Sequence, residues 1–393
     1  MMECSRFHAK HGVSGLFDRN FIQKNVRNLR RWVAVALCGV VALTAGAAQR
    51  WLGGDVSMLT ANERAGIVYR DITGRQVEPM KFFKQLGWNM MRVRLFVDPA
   101  NAPGDHHDEG VCQDLPYVRD LCVALKRAGY KVMLDFHYSD TWADPGKQYT
   151  PRRWEGLDAH ALADSIEAYT DFCLRVLNKA GATPDMIQVG NEITNGMDWP
   201  VGRIDPSRDD NWDTLIMLLK AGVRACRKQC PRARLIIHTE KAGDWDITRS
   251  YYDHLRSAGL DYDIIGLSYY PMWHRDIATL GRTLDSLAVR FPDKEVMIVE
   301  TAYFYEHDGR PAGDSEDFSH CPPGTVQGQL QFTTQLIAEL KRHSNVTGLF
   351  WWYPEENYNG IAKPRFGGLN RGLFNSKTGV ALPALYQLRT YLQ

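Results

Sequence analysis

The feature that most constrains the fold of this chain is the alternation of short apolar runs with longer amphipathic segments. Eight runs are rich in β-branched, aromatic or leucine residues, as expected for strands covered on both faces. The predicted strands are 54–59, 89–96, 131–137, 186–190, 234–238, 263–268, 295–300 and 346–352. Helical periodicity follows each of them, over 79–86, 114–129, 158–180, 210–229, 247–258, 276–290, 327–342 and 382–392.

This alternation continues over about 340 residues and predicts an α/β protein, a (β/α)8 TIM barrel. Gly87, Gly129 and Gly259 stand just after helical patterns, where a left-handed residue commonly ends a helix. A doubly wound open sheet is the alternative, and it is disfavoured because no glycine-rich phosphate turn follows the first strand. We expect residues 49–393 to form a single catalytic domain.

The N-terminal segment 1–48 has the character of a secretory leader rather than of the fold. A basic cluster at 27–31 precedes an apolar run at 32–43 and a stretch of small residues that ends at Ala48. This order is typical of a signal peptide, and we expect cleavage near Ala48 and a secreted or periplasmic protein. An uncleaved membrane anchor is the alternative, although the apolar stretch is short for a span of about 20 residues.

The charge balance argues against a nucleic-acid partner. Lys and Arg number 47 against 46 Asp and Glu, so the chain has no bulk attraction for a polyanion. We expect no nucleic-acid partner, no membrane contact once the leader is removed, and a monomer.

Six cysteines remain after Ala48, and they are read as structural. Cys226 and Cys230 stand four apart on a predicted helix, where they could face each other, and export would permit disulfides. No histidine pair lies nearby to complete a zinc site. Thiols or disulfides are therefore favoured over a metal centre.

Polar and aromatic side chains collect where the predicted strands end. In a TIM barrel this rim carries the active site, because the loops after the strands meet there. The residues concerned are Asp55, Ser57, Arg92, Arg94, Asp135, His137, Asn191, Glu192, His238, Tyr269, Tyr270, Glu300, Trp351 and Trp352. Structural roles remain open for many of them: one of the two arginines could form a surface ion pair, either histidine could be structural, and either tyrosine could belong to the core.

Glu192 and Glu300 are the strongest catalytic candidates. Each ends an apolar strand-like run, so both are expected at one rim of the barrel. A carboxylate buried at a strand end needs a partner or a function. Two carboxylates that face one cleft are the minimal equipment for glycosidic bond cleavage, one as proton donor and one as nucleophile or base.

Longer strings in the chain resemble a known family. The string from Asp135 to Gln148 (DFHYSDTWADPGKQ) is similar to the third-strand segment of glycoside hydrolase family 53, the clan A endo-β-1,4-galactanases. Further matching strings are QVGNEI at 188–193 with Gly196 and Trp199-Pro200, IGLSYYP at 265–271 with Trp273-His274, and VETAY at 299–303. The resemblance runs from Gly54 to the C-terminus and implies a β-1,4-galactan substrate.

The resemblance also implies roles for individual residues. Glu192 would be the general acid/base and Glu300 the nucleophile of a retaining reaction. Asn191 would bond the sugar 2-hydroxyl, Arg94 with Tyr269 or Tyr270 would orient Glu300, and Trp352 would form the floor of that subsite. The remaining substrate-binding candidates are Asp55, His137, His238, Trp142 and Trp199.

The chain departs from the family pattern at the rim. Asp198 stands where leucine is usual, Phe304-Tyr305-Glu306 replaces the common Pro-Trp, and the segment 306–323 reads as an insertion. Some bacterial members bind calcium in the loop after strand eight. Here the segment 353–370 lacks a convincing spacing of oxygen ligands, so we expect neither a metal nor a cofactor.

Three other interpretations stay open. The same chemistry could act on another β-linked polymer such as mannan, xylan or arabinogalactan. A non-catalytic carbohydrate-binding barrel is disfavoured because both glutamates and Asn191 are present. An intracellular aldolase-type barrel is disfavoured because no lysine ends a strand.

Overall fold

Eight parallel strands close into a barrel in this computed structural model, which describes residues 49–208, 210–313, 315–357 and 369–393. The strands are β1 Trp51–Asp55, β2 Met90–Leu95, β3 Lys131–Phe136, β4 Met186–Val189, β5 Arg234–Thr239, β6 Ile264–Ser268, β7 Glu295–Thr301 and β8 Val346–Trp352. Each strand pairs with its sequence neighbours, and β1 pairs with β8. The predicted (β/α)8 fold is confirmed. The predicted leader, 1–48, lies outside the described residues.

Helices follow the strands and cover the outside of the barrel. They are α1 Leu59–Arg64, α2 Pro79–Gln85, α3 Gly104–Asp108, α4 Leu115–Arg127, α5 Ala159–Lys179, α6 Trp212–Gln229, α7 Trp245–Ser257, α8 Pro271–His274, α9 Ile277–Arg290, α10 Val326–Leu340 and α11 Pro383–Leu388. Several begin at an aspartate whose carboxylate accepts a backbone N–H of the first turn, as Asp114 and Asp158 do. Residues Gln49–Gln393 cluster as one compact unit.

The first strand lies earlier than the sequence indicated. It was expected at 54–59, whereas the structure places it at Trp51–Asp55, and α1 begins at Leu59. A Cβ atom added to Gly53 would lie 1.7 Å from the carbonyl oxygen of Met90. Gly53 therefore belongs to the strand, because only glycine permits so close an approach of β2.

Alternation along the strands separates an apolar floor from a polar layer inside the barrel. One interior cluster consists of Met90, Met133, Met186, Ile236, Ile264, Met297, Val299 and Phe350. Two residues beyond the first four of these lie Arg92, Asp135, Gln188 and His238, all buried. Because strand side chains repeat with period two, these four residues form the layer above the apolar floor. The barrel interior thus becomes polar directly above this floor, on the side of its carboxyl end.

The cysteines of the predicted helix do not form a disulfide with each other. Cys226 and Cys230 are both thiols. Cys122, Cys173 and Cys321 are thiols as well. Cys230 Sγ lies 3.7 Å from Asn178 Oδ1. Among the described parts of the chain, no helix has the length and apolar character needed to cross a membrane.

Candidate active site

Arg92, on β2, is the centre of a buried charge network at the carboxyl end of the barrel. Its guanidinium group lies 2.7 Å from Asp55 Oδ2 and 2.7 Å from Asp135 Oδ2. It also donates to Asn191 Oδ1 at 2.7 Å and lies 3.3 Å from Glu300 Oε2. A buried arginine is tolerated because carboxylates surround it, and its planar fork holds each of them in a set direction.

A bulge directs Glu300 into the barrel. Val299 already belongs to the interior cluster, so strict alternation would turn Glu300 towards the helices. The pairing of β7 shifts register against both β6 and β8 in this stretch, and Ser268 pairs with Glu300. Bulges of this kind re-aim side chains next to active sites. Tyr270 donates a hydrogen bond of 2.8 Å to Glu300 Oε1, so both carboxylate oxygens have a partner.

Glu192 lies just beyond β4 in a left-handed backbone conformation. Its φ is 49°, which is uncommon for a residue with a side chain and is often found at functional sites. Ser268 donates a hydrogen bond of 2.5 Å to Glu192 Oε1, and Ser268 Oγ lies 2.8 Å from His238 Nε2. Glu192 therefore ends a short chain of polar groups that can accept or return a proton.

The two glutamates are close together and differ in their charge environments. One carboxylate oxygen of Glu192 lies within 4.8 Å of one of Glu300. Burial raises the pKa of Glu192 well above its ordinary value, and the negative charges of Glu300 and Glu240 raise it further. Burial also raises the pKa of Glu300, but Arg92 and the hydrogen bond from Tyr270 act in the opposite direction. Glu192 is accordingly the better proton carrier of the two.

Asn191 is oriented by the same network. Its Oδ1 accepts from Arg92, and its Nδ2 donates to the carbonyl oxygen of Ala143 at 2.8 Å. An amide nitrogen has two hydrogens, so one remains for a ligand hydroxyl. Gln188 belongs to the same network: its Nε2 lies 2.6 Å from Asp135 Oδ1 and 2.9 Å from His238 Nδ1.

The two histidines occupy different parts of the site. Burial and the charge of Arg92 hold the pKa of His238 well below its ordinary value, so its imidazole is neutral. His137 Nε2 lies 3.1 Å from Asp135 Oδ2, and His137 Nδ1 accepts from the backbone N–H of Ala143 at 3.1 Å. Both rings are thus held within the polar network.

The structure separates the two arginines that the sequence left undecided. Both are buried, because residues two apart on β2 point to the same side. The arginine beside Glu300 is Arg92, whereas Arg94 was the one expected there. Arg94 instead lies 3.6 Å from Asp55 Oδ1 and stacks over Trp142 at 4.3 Å from the ring centre.

The adjacent tyrosines are separated in the same way. Tyr270 reaches Glu300, whereas the hydroxyl of Tyr269 donates to the carbonyl oxygen of Arg275. The ring of Tyr269 is stacked near Phe332 on α10, with 6.3 Å between the ring centres. Tyr269 therefore packs against the helices and does not line the catalytic centre.

The three tryptophans expected to bind substrate are half-buried at the rim. Trp142 lies against Phe96 and His137, beneath Arg94. Trp199 donates its Nε1–H to the carbonyl of Asn195 and has Arg203 over its ring. The third, Trp352, ends β8 near Arg371. These three rings lie on the loops after β3 and β4 and at the end of β8.

Sequence reasoning missed three polar residues of this site: Gln188, Glu240 and Ser268. Gln188 and Ser268 were hidden within apolar runs, although period-two alternation with Met186 and Ile264 marks both as inward-facing. Glu240 lies beyond β5, where its Oε2 accepts from Thr194 at 2.7 Å. No local signal in the sequence indicates that its charge acts on Glu192.

One group of residues has donor atoms close enough to hold a cation. Glu192, His238 and Glu300 each place one ligand atom within 4.8 Å of the others. The ring nitrogens of His238 already face Ser268 and Gln188, so an ion would have to displace those contacts. We assign no metal or cofactor here, and the expectation that none is required stays a prediction.

The described part of the loop after β8 uses its acidic groups for structure. Glu355 Oε1 accepts the backbone N–H of Met58, and Glu356 accepts those of Asn370, Arg371 and Gly372. Of the segment 353–370, only 353–357 and 369–370 lie within the described residues.

Comparison with known proteins places the chain in a family. The model of glycosyl hydrolase family 53 matches residues 51–388. The chain belongs to glycosyl hydrolase family 53. This family 53 chain is 34% identical to an uncharacterized protein in the bgaB 5′ region of Niallia circulans, over 87% of this chain and 94% of the relative. It is 30% identical to the probable arabinogalactan endo-β-1,4-galactanase A of Aspergillus oryzae, over 81% and 88%.

A solved structure agrees with this assignment. The family 53 catalytic domain of Ignisphaera aggregans superimposes with a TM-score of 0.77 at 30% identity, covering 88% of this chain and 97% of that domain. The predicted resemblance to family 53 is confirmed, and the chain is a glycoside hydrolase.

Proposed function

We propose that this chain is a retaining endo-β-1,4-galactanase in which Glu192 is the general acid/base and Glu300 the nucleophile. The observation that carries the proposal is the approach of the two carboxylates to within 4.8 Å, oxygen to oxygen. Retaining glycosidases separate their carboxyl groups by about 5–5.5 Å, whereas inverting enzymes need about 6.5–9.5 Å to admit a water molecule. The spacing favours retention.

In the first step, Glu300 attacks the anomeric carbon while Glu192 protonates the departing glycosidic oxygen. The bond from the carbon to the leaving oxygen breaks as the bond to Glu300 forms, which yields a covalent glycosyl-enzyme. Arg92 and Tyr270 direct the Glu300 oxygens and favour the ionised form that attacks. Burial and neighbouring acids keep the proton on Glu192 until the leaving oxygen needs it.

In the second step, Glu192 takes a proton from water while the water oxygen bonds to the anomeric carbon. The ester bond to Glu300 breaks, and the sugar leaves with its original configuration. Ser268 and His238 hold the Glu192 carboxyl in place through both steps. The remaining N–H of Asn191 would bond a sugar hydroxyl, a contact that strengthens as charge develops at the anomeric carbon.

The galactan substrate is inferred from the family relationship. The Aspergillus relative is described as an arabinogalactan endo-β-1,4-galactanase, and the chain matches it across most of both lengths. The strings around β3, β4, β6 and β7 that resemble this family line the proposed site. We also propose that the protein is exported by the leader at 1–48 and acts as a monomer.

The test is product formation from linear β-1,4-galactan, with β-1,4-mannan, xylan and β-1,3-galactan in parallel. We expect short galacto-oligosaccharides from β-1,4-galactan alone, and proton NMR of early products should detect the β-anomer first. Cleavage of another polymer would overturn the substrate assignment and keep the two-glutamate site. An initial α-anomer would overturn the retaining mechanism.

A further inference from the structure

A cationic side chain borders the proposed catalytic centre on the segment after β8. The guanidinium carbon of Arg371 lies 5.2 Å from the ring centre of Trp352, 5.4 Å from Phe304, 5.5 Å from Trp273 and 5.8 Å from Tyr270. We call these four rings the aromatic basket. Because Tyr270 bonds Glu300 directly, the basket and its arginine adjoin the reacting atoms. Trp273 remains 40% exposed, so the basket is open to solvent on one side.

Among the described residues, Glu356 is the acid whose charge interacts with that of Arg371, and it does so without an ion-pair contact. No carboxylate of those residues forms an ion pair with it, and its buried Nε has no hydrogen-bond partner. Glu356, on the same loop, accepts backbone N–H groups with both oxygens. Arg92, by comparison, is surrounded by three carboxylates. Because no carboxylate of the described residues is at ion-pair distance, the terminal N–H groups of Arg371 are available to a ligand.

The backbone on both sides of Arg371 is fixed. Its N–H donates to Glu356 Oε2 at 2.8 Å, and its carbonyl oxygen accepts from Trp351 Nε1 at 2.9 Å. The next residue, Gly372, has its carbonyl bonded by Gln329 Nε2 at 2.9 Å. The backbone that carries this side chain therefore does not have to be ordered when a ligand binds.

The catalytic centre itself repels anions. Besides the protonated Glu192, four acids are buried there, Asp55, Asp135, Glu240 and Glu300, against the three cations Arg92, Arg94 and Lys241. A sugar that carries a carboxylate would be disfavoured beside this cluster unless a cation faced it. Arg371 supplies a cation at one position, and the flanking rings suit the apolar face of a pyranose.

We propose that Arg371 and the aromatic basket form a subsite for a sugar that carries a carboxylate, a uronic acid unit within or attached to the glycan. The planar guanidinium matches a planar carboxylate through two parallel N–H···O bonds, which a neutral hydroxyl cannot accept. The inference rests on the proposed function for the identity of the main chain. It makes the enzyme selective for galactan segments that bear acidic sugars.

The experiment compares a β-1,4-galacto-oligosaccharide with the isomers of it in which one unit is oxidised at C6 to a carboxylate. The quantity measured is the ratio of kcat/KM for each acidic isomer to that for the neutral oligosaccharide. For the wild-type protein we expect one isomer to exceed the neutral substrate by about 10-fold or more, since a charged hydrogen-bonded pair contributes about 1.5–3 kcal/mol. The ratio should fall in about 0.5 M NaCl, because salt screens an exposed charge pair.

Variants of Arg371 test whether the preference for the acidic isomer depends on this side chain. Arg371→Gln should lower the ratio about 10-fold or more, and Arg371→Lys should retain part of it, because lysine keeps the charge but not the fork. Arg256→Gln is the matched control: Arg256 also lies over a ring, that of Phe291, but bonds Asp253 on the outer helices. It should leave the ratio unchanged. A wild-type ratio near or below one, or a ratio that Arg371→Gln does not change, overturns the inference.

Calorimetric binding of the same compounds separates the two proposals. If the neutral oligosaccharide is cleaved and acidic isomers bind no better, the subsite is wrong and the galactanase assignment stands. If nothing is cleaved but an acidic isomer binds more tightly than the neutral one, and Arg371→Gln removes the difference, the galactanase assignment is wrong and the subsite stands. Absence of both cleavage and binding rejects both.

Discussion

Glu192 and Asp198 are close in the sequence, both are buried and both have a positive φ, yet their surroundings differ completely. Glu192 is bonded by Ser268 and lies next to Glu300. Both carboxyl oxygens of Asp198 are buried without a hydrogen-bond partner among the described residues. Burial raises the pKa of both groups well above the ordinary values. A raised pKa therefore does not identify a catalytic acid; its partners do.

The largest effect on kcat is expected from substitution of Glu300, the carboxylate opposite Glu192. Glu300→Ala removes the nucleophile and should lower kcat about 10⁴-fold or more on galactan, as the loss of a covalent nucleophile commonly does. Glu295→Ala is the matched control, because Glu295 begins the same strand and pairs with Arg234 at the opposite end of the barrel. Circular dichroism should report an unchanged fold in both. Normal turnover by Glu300→Ala would remove the nucleophile assignment.

A smaller effect should distinguish the two arginines of β2. Arg92→Lys keeps a charge but loses the fork that reaches Asp55, Asp135 and Glu300, so we expect kcat/KM to fall about 10²-fold or more. The pKa of Glu300 should rise, because Arg92 lowers it, so the acidic limb of the pH–rate profile should move to higher pH. If Arg94→Lys moved this limb equally, Arg92 would have no special role.

The third effect concerns the proton on Glu192. Glu240 raises the pKa of Glu192, so Glu240→Gln should lower it. The enzyme needs Glu192 protonated, and the alkaline limb of the kcat/KM profile should therefore move to lower pH, by about half a unit for charges that do not touch. The acidic limb, which reports Glu300, serves as the internal reference. An alkaline limb that stays in place would show that Glu240 has only a structural role.

Substitution of Asp198 is expected to leave catalysis unchanged and to alter stability instead. A carboxyl whose pKa is raised by folding favours the folded state below its unfolded pKa, and this stability is lost as pH rises through the folded value. Asp198→Leu removes this cost and should raise the free energy of unfolding by about 1–3 kcal/mol at pH 7. Melting at pH 5 and pH 8 measures it, with Asp198→Asn separating charge from shape. A drop in stability for both variants would mean that an unseen partner binds the carboxylate.

Most of the fold could be predicted from the sequence, since apolar periodicity reports burial directly. Seven of the eight strands were placed close to their observed positions, and several helices begin after a capping aspartate or with a proline in the first turn. The first strand was predicted at 54–59 and lies at Trp51–Asp55, with two adjacent glycines inside it. Their actual role depends on Met90, far along the chain, whose carbonyl oxygen leaves no space for a Cβ atom.

The candidate site could be predicted only in part. The strand ends identified Glu192, Glu300, Asn191 and Asp55. In the structure Glu300, Asn191 and Asp55 contact Arg92, and Glu192 lies near Glu300. Two choices, between Arg92 and Arg94 and between Tyr269 and Tyr270 as the partners of Glu300, depended on which way each side chain points. Sequence strings could not resolve this, because neighbouring residues carry the same chemistry.

The sequence by itself determined the alternating architecture, the family and the pair of glutamates, because these depend on local periodicity and on short strings of residues. The tertiary structure alone decided which groups meet. A register shift in β7 turns Glu300 inward, a left-handed residue presents Glu192, and closure of the barrel brings Arg92 to both Asp135 and Glu300. The four rings that surround the Arg371 guanidinium come from segments distant in the chain. Such encounters depend on strand closure and register, which no local pattern encodes.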